Sequence, residues 1–224
     1  MRISLKDEKF FRSMLGIFVS RGDITFGIRQ GAMCAFSYGQ SNFYLTMSDD
    51  VITIDGDDLT FTVRARHLLE GMDGLNKFDL VIEEEVRLID GGNTIFIPFV
   101  TTIEEEYEEP DVSISKLIVS SESLEAFGIL KGIVTYEVED DKLFIRRAAA
   151  DMLEEVEFFA VDFIVAGDMQ FRCNNKWTEI LTGIKGYIDR VMLTFSPDTL
   201  CAQFLFKRSS KSYLELRILR SLAE

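Results

Sequence analysis

Leu59-Thr-Phe-Thr-Val63, Arg64–Leu75 and Lys77-Phe-Asp-Leu-Val-Ile82 read as a strand, a helix and a strand, and this reading decides the fold. It returns about 110 residues later in Met169-Gln-Phe-Arg-Cys173, Asn175–Ile184 and Arg190-Val-Met-Leu-Thr-Phe195. Outward from these anchors each half repeats one plan: a short strand, a helix, several strands, a second helix, further strands. Self-similarity at a fixed offset marks a chain built from copies of one module. Two copies of a small domain point to a scaffold rather than to an enzyme with a single pocket.

In the first half Arg2–Leu5 is a strand. Asp7 caps a helix whose apolar residues Phe10, Phe11, Met14, Leu15 and Phe18 recur at helical spacing, leaving Lys9, Arg12 and Ser13 on the polar face. Strands follow at Ile24–Arg29, Met33–Ser37, Asn42–Met47, Val51–Asp55 and Leu59–Val63, and after the second helix at Phe78–Glu83, Val86–Ile89 and Thr94–Val100. In the second half Ile114–Val119 is a strand, and Ser121 or Ser123 caps a helix that buries Leu124, Phe127 and Leu130. Ile133–Val138 and Leu143–Arg147 form a hairpin, followed by Val156–Ala160, Phe163–Val165 and Met169–Cys173. Trp177, Ile180, Leu181 and Ile184 form the last helical stripe, before strands Arg190–Phe195, Cys201–Phe206 and Tyr213–Leu219. The expected class is α+β: two tandem domains, 1–100 and 113–224, each with two helices on antiparallel sheets, joined by a connector at 101–112.

That connector sharpens the charge pattern. The chain carries −14 overall, yet residues 101–112 alone hold six acids and no base, including Glu104-Glu-Glu106 and Glu108-Glu109. Such a run resists burial and favours an extended, solvated strap. An acidic average repels free DNA, so any contact with nucleic acid must come from a segregated basic surface or from geometry. Hydrophobic content of 47% and mean hydropathy of +0.10 exclude a disordered chain. Three separated cysteines, Cys34, Cys173 and Cys201, form no C-x-x-C pair. They read as reduced, buried thiols rather than a disulfide framework or zinc site. No apolar run approaches the roughly 20 residues that span a bilayer, and the N-terminus lacks a signal-type apolar core. A cytoplasmic protein without membrane contact is expected.

Catalytic motifs are missing from the sequence. Asp49-Asp50 and Asp55-Gly-Asp-Asp58 lack the order of a calcium loop and read as solvated turn acids. His67, the single histidine, has no G-x-S-x-G serine or activated cysteine to serve. No glycine-rich phosphate cradle occurs. Arg146-Arg147 and Lys207-Arg208 with Lys211 are the densest basic spots; they read as solvated or paired with nearby acids rather than as a nucleic-acid footprint.

Strand–helix–strands–helix–strands, written twice around an exposed connector, resembles the DNA sliding clamps, in particular proliferating cell nuclear antigen and the T-even-type phage clamps. The local match is best at Phe26–Met47 and Leu59–Val100, where strand, helix, an Asn76-Lys77 turn, strand, acidic hairpin and strand recur. As an order of elements it spans essentially the whole chain. The resemblance implies a non-enzymatic processivity factor, without metal or cofactor. It would close as a head-to-tail homotrimer around double-stranded DNA and tether a DNA polymerase after placement by a clamp loader.

The resemblance also implies site residues. Helices facing the hole would present Lys6, Lys9, Arg12, Arg64, Arg66, Lys131, Lys176 and Lys185, although Glu122 and Glu125 make the third helix a weakly basic lining. Ring closure would join Thr94–Val100, with Ile95, Phe96, Ile97 and Phe99, to roughly Glu154–Ala160, with Val156, Phe158 and Phe159. A partner-peptide pocket near the connector would use Phe36, Tyr38, Ile103, Tyr107, Leu219 and Leu222. Competing expectations are a monomeric viral processivity factor held by charge, a β-rich virion or structural assembly protein, and an acid–base enzyme.

Overall fold

The computed structural model describes residues 1–39, 41–101, 115–139, 142–149, 152–159, 162–165 and 168–221. The expected connector beyond Thr101, with Ile103 and Tyr107, lies outside the described residues, as does Leu222. Two compact units form, Met1–Glu106 with Arg208–Leu214, and Tyr107–Lys207 with Glu215–Glu224.

The first unit runs β1 (Arg2–Leu5), α1 (Glu8–Gly16), β2 (Asp23–Arg29), β3 (Ala32–Ser37), β4 (Ser41–Met47), β5 (Ile52–Asp55) and β6 (Leu59–Arg64). It continues with α2 (Ala65–Met72), β7 (Asp79–Ile82), β8 (Val86–Asp90) and β9 (Asn93–Ile97). One sheet has the order β5-β1-β7-β8-β9, and a second sequence of neighbours is β4-β3-β2-β6. The Asp7 carboxylate accepts from the Phe10 amide at 2.9 Å and so starts α1. Phe10, Phe11, Met14 and Leu15 are buried along one face of α1, as are Leu68 and Met72 on α2, which packs against α1. Full burial of each such side chain contributes about 1.5–3 kcal/mol. Gly71 lets α2 settle onto the sheet: a Cβ there would stand 3.1 Å from Ile97 Cδ1 and 3.2 Å from Leu88 Cδ1.

The second unit repeats the plan element for element: β10 (Ser115–Ser120), α3 (Leu124–Phe127), β11 (Ile133–Glu139), β12 (Lys142–Ala149), β13 (Met152–Phe159) and β14 (Asp162–Val165). Then come β15 (Met169–Asn174), α4 (Leu181–Ile184), β16 (Ile188–Phe195), β17 (Thr199–Phe206) and β18 (Tyr213–Leu219). Its strand orders are β14-β10-β16-β17-β18 and β13-β12-β11-β15. Advancing each strand label of the first unit by nine reproduces both.

The helices of the second unit differ from expectation. Each is a single α-turn, flanked by 3-10 turns at Ser121–Ser123 and Asn175–Ile180. Ser123 is the N-cap residue of α3, as one of the two expected serines, but without a side-chain capping bond. Gly128 ends the turn. The reason for the compaction is a polar plug. Asn175, fully buried, donates to the Phe127 and Leu130 carbonyls at 2.7 Å each and accepts from the Tyr136 hydroxyl at 2.5 Å. It thereby satisfies the carbonyls left open where a short helix stops, while Leu124, Phe127, Trp177, Leu181 and Ile184 are buried around it.

Segment Arg208–Leu214, between β17 and β18, belongs to the first unit. Its hold there is polar. Asp50 accepts from Ser209 at 2.5 Å, Ser212 at 3.0 Å and Ser48 at 2.5 Å, while Arg208 reaches Asp7 at 2.6 Å and Lys211 reaches Asp49 at 3.0 Å. Burial alone would raise the Asp50 carboxyl; the three hydroxyls together outweigh it and hold it below the ordinary carboxylate value.

Two outcomes are expected. Asn175→Ala strands two buried carbonyls and a phenol, and costs about 2–4 kcal/mol, read as a lower urea midpoint with unchanged m-value. Asp50→Ala costs about 1 kcal/mol or less at pH 7, because the carboxylate is partly screened by solvent. A carboxyl depressed on folding stabilises above its unfolded value of about 3.9 and loses that contribution as pH falls through the folded value. The gap between wild type and Asp50→Ala therefore closes in melts taken below about pH 4.

Candidate functional site

The polar faces of the helices hold the cations expected there, in two populations. Lys9, Arg64, Lys131 and Lys176 are exposed and make no ion pair among the described residues. Others are engaged. Arg12 lies 5.3 Å over the Phe78 ring and donates to the Leu75 carbonyl, tying α1 to the turn after α2. Lys6 donates to the Asp49 carbonyl. Arg66 pairs with Glu70 at 2.8 Å, one helical turn away. Lys185 pairs with Glu125, whose carboxyl it lowers, so the acidity of the third helix is offset by a base from the turn after α4. Glu122 stays exposed.

Among the strands that end their sheets are β9 in the first unit and β13 in the second. Their side chains sort by alternation. Ile97 is buried, and Ile95 points the same way, toward Gly71 of α2. Phe96 faces out with 57% of its surface exposed, under the Arg87 guanidinium at 5.6 Å. Phe99 packs on Phe61 at 5.6 Å. On β13, Phe158 is buried against Phe127 at 4.5 Å, Val156 is half-buried, and Leu153 is 66% exposed. Of the apolar residues singled out from the sequence, Ile97, Phe99 and Phe158 therefore serve their own cores first, whereas Phe96 faces out. What the edges offer outward is unpaired backbone, Phe96 and Leu153. Period-two alternation carries that distinction for Phe96; Leu153 was missed because the strand starts earlier than its apolar run.

A cleft of about 720 Å³ opens in the first unit. Phe36 and Tyr38 form one wall, their rings edge to face at 5.5 Å. Thr25 and Thr62, joined hydroxyl to hydroxyl at 2.8 Å, also line it. Arg64, Arg66 and His67, from the start of α2, and Arg21 line the rest, with Asp23 and Glu70 as the acids. Residues assigned from the sequence to two surfaces, Phe36 and Tyr38 to one and Arg64 and Arg66 to another, thus meet in one recess. Arg21 is half-buried with its guanidinium 4.0 Å over the Phe43 ring, and burial lowers its pKa. Leu219, in the second unit, is 59% exposed.

The remaining motifs are spent on structure. Arg146 pairs with Glu137, Glu139 and Glu155, and Arg147 with Glu154. Burial pushes the Cys173 and Cys201 thiols up to about 12, which leaves them poor nucleophiles. Among the described residues no helix is long and apolar enough to cross a membrane.

No family model matches the sequence, and no curated protein matches it in sequence. Solved structures do match in three dimensions. A PCNA2–PCNA3 complex of Sulfolobus tokodaii aligns with TM-score 0.81 and 13% identity, over 98% of this chain and 99% of that chain. A proliferating cellular nuclear antigen of Entamoeba histolytica aligns with TM-score 0.80 and 14% identity, over 99% and 98%. With a duplicated strand order and a likeness that runs the length of both chains, this protein has the α+β fold of the proliferating cell nuclear antigen type of sliding clamp.

Proposed function

We propose that the chain is a sliding clamp: copies join head to tail into a ring around duplex DNA, and the ring tethers a DNA polymerase and other replication proteins. The observation that carries this reading is the likeness to clamp structures over nearly the whole of both chains. The Sulfolobus structure is itself a complex of two such chains. In the proposed assembly β9 of one copy adds to β13 of the next, and three copies place six similar units around the hole. Backbone pairing supplies the geometry, while Phe96 and Leu153 contribute the outward apolar contact.

The charge pattern suits this mechanism. A ring holds DNA by enclosure, so a tight phosphate grip is not needed and would oppose sliding, since each neutralised phosphate adds salt-dependent affinity. Lys9, Arg64, Lys131 and Lys176, without ion pairs among the described residues, would give weak, sequence-independent contacts; Lys6 and Arg12, tied to backbone carbonyls, and Arg66 and Lys185, paired with Glu70 and Glu125, add a weaker background. Tethering raises the local concentration of polymerase at the primer end. Phe36, Tyr38, Ile103, Tyr107, Leu219 and Leu222 are proposed to receive partner segments near the connector, and a loader is expected to open the ring. No residue is assigned a catalytic role.

Light scattering is expected to give three times the 25.6 kDa chain mass, and negative-stain images a ring with a central hole. Phe96→Asp or Leu153→Asp introduces charge at a joining edge and should weaken assembly at least about tenfold with little change in monomer melting. Loaded rings should stay on circular DNA and escape from linear DNA with free ends. A monomer whose duplex binding collapses steeply with salt on both templates would overturn the proposal.

A further inference from the structure

We infer that three glutamates decide which edge strand of another copy can join β13. Glu154, Glu155 and Glu157 bar β13 from pairing with a second β13 and leave the uncharged β9 as its partner. The bar follows from β13 alone, while the choice of β9 rests on the head-to-tail ring proposed above.

Among the described residues β13 hydrogen-bonds to β12 on one side, and its other side ends the sheet. An open edge beside the exposed Leu153 invites pairing with its own copy. Two identical edges join about a two-fold axis, so the strands run antiparallel and each residue meets one on the same face of the sheet. In Met152-Leu-Glu-Glu-Val-Glu-Phe-Phe159 that rule leaves few registers. Centred on residue 154, the pair sets Glu154 against Glu154; centred on 155, Glu155 against Glu155. Centred on 156 it sets Glu155 against Glu157 twice, and centred on 157, Glu157 against Glu157. Every self-pairing that overlaps five residues or more therefore opposes like charges, which destabilises a strand pair. Remove any one of the three acids and a register opens.

The acids are also held in place at the edge. Arg147 pairs with Glu154, Arg146 with Glu155 and Lys142 with Glu157, all three bases reaching across from β12. These bases lie on the side away from the open edge, so an approaching strand meets the carboxylates first. Arg146 is shared with Glu137 and Glu139, which leaves Glu155 incompletely neutralised. Of the other strands that end a sheet, β5 and β14 carry acids of their own, Asp55 and Asp162. On β6 and β15 the edge is partly taken: the Val100 amide donates to the Thr62 carbonyl at 2.9 Å, and the Ser221 amide to the Arg172 carbonyl at 2.8 Å. By contrast β9, Asn93-Thr-Ile-Phe-Ile97, carries no charged side chain. No register of β9 against β13 sets like charges opposite each other.

The test is analytical ultracentrifugation of the full chain carrying Phe96→Asp, which weakens the head-to-tail joint. It is run with and without Glu154→Gln, Glu155→Gln and Glu157→Gln together. The triple substitution should produce a dimer, with association at least about tenfold tighter than that of Phe96→Asp alone and slowed hydrogen exchange at the β13 amides. Removing the same charge at exposed positions elsewhere, by Glu84→Gln, Glu122→Gln and Glu179→Gln, should leave association unchanged. If melting curves show the triple variant to be unstable, Glu155→Gln alone carries the test, since it opens the register centred on 155. Association unmoved by loss of the β13 acids in a folded protein would overturn the inference. So would dimers of Phe96→Asp that protect β13 with all three acids intact. Light scattering on the wild-type chain keeps the two readings apart. A wild-type trimer beside an unresponsive triple variant sinks this inference alone, whereas a wild-type monomer whose triple variant dimerises sinks the ring alone.

Discussion

Apolar helix stripes laid on the inner faces of antiparallel sheets are the constraint from which the rest of each unit follows. Once Phe10, Phe11, Met14 and Leu15 are committed to the interior, Lys9 has nowhere to go but solvent. The same holds for α2, where burial of Leu68 and Met72 turns Arg66, His67 and Glu70 outward. The approach is close enough that Gly71 is the residue the sheet tolerates beneath it. A helix packed this tightly fixes the direction of every polar group it carries, so the surface chemistry is a by-product of the core.

The second unit meets the same constraint with less helix. Four-residue turns bury few side chains, and their ends leave carbonyls to be satisfied within the protein. Asn175 supplies that function for α3, and the Tyr136 hydroxyl completes its hydrogen bonding. Trp177 and Phe127 fill the space around it, 6.1 Å apart ring to ring. One unit is thus held by apolar length and the other by a buried polar junction, within one strand order.

Much of this was legible beforehand, and the boundary is physical. The duplication, the succession of elements along each half and the stripe on α1 depend on periodicity, which is a local property of sequence, and local reading recovers them. The short helices were over-read because the Trp177, Leu181 and Ile184 spacing fits a continuous helix, whereas the deciding contact, Asn175 with Phe127 and Leu130, spans more than 40 residues. The edge strands were found, but Ile97 and Phe158 were credited to an outward surface although their own cores claim them. The acidity of α3 was a puzzle in the sequence because Lys185, 60 positions away, is what offsets Glu125. The meeting of Phe36 and Tyr38 with Arg64 and Arg66 likewise depends on β2 lying between β3 and β6, a tertiary fact.

The serine-lined seat of Asp50 carries a consequence for biosynthesis. Its hydroxyl donors Ser209 and Ser212 are made some 160 residues after the carboxylate they satisfy. A nascent N-terminal half leaving the ribosome can gather its sheets and helices, yet this corner stays open to water until Ser209 and Ser212 have been translated. Maturation of the first module therefore waits on a distant downstream segment, and a product cut short before Ser209 would emerge with that seam unsealed.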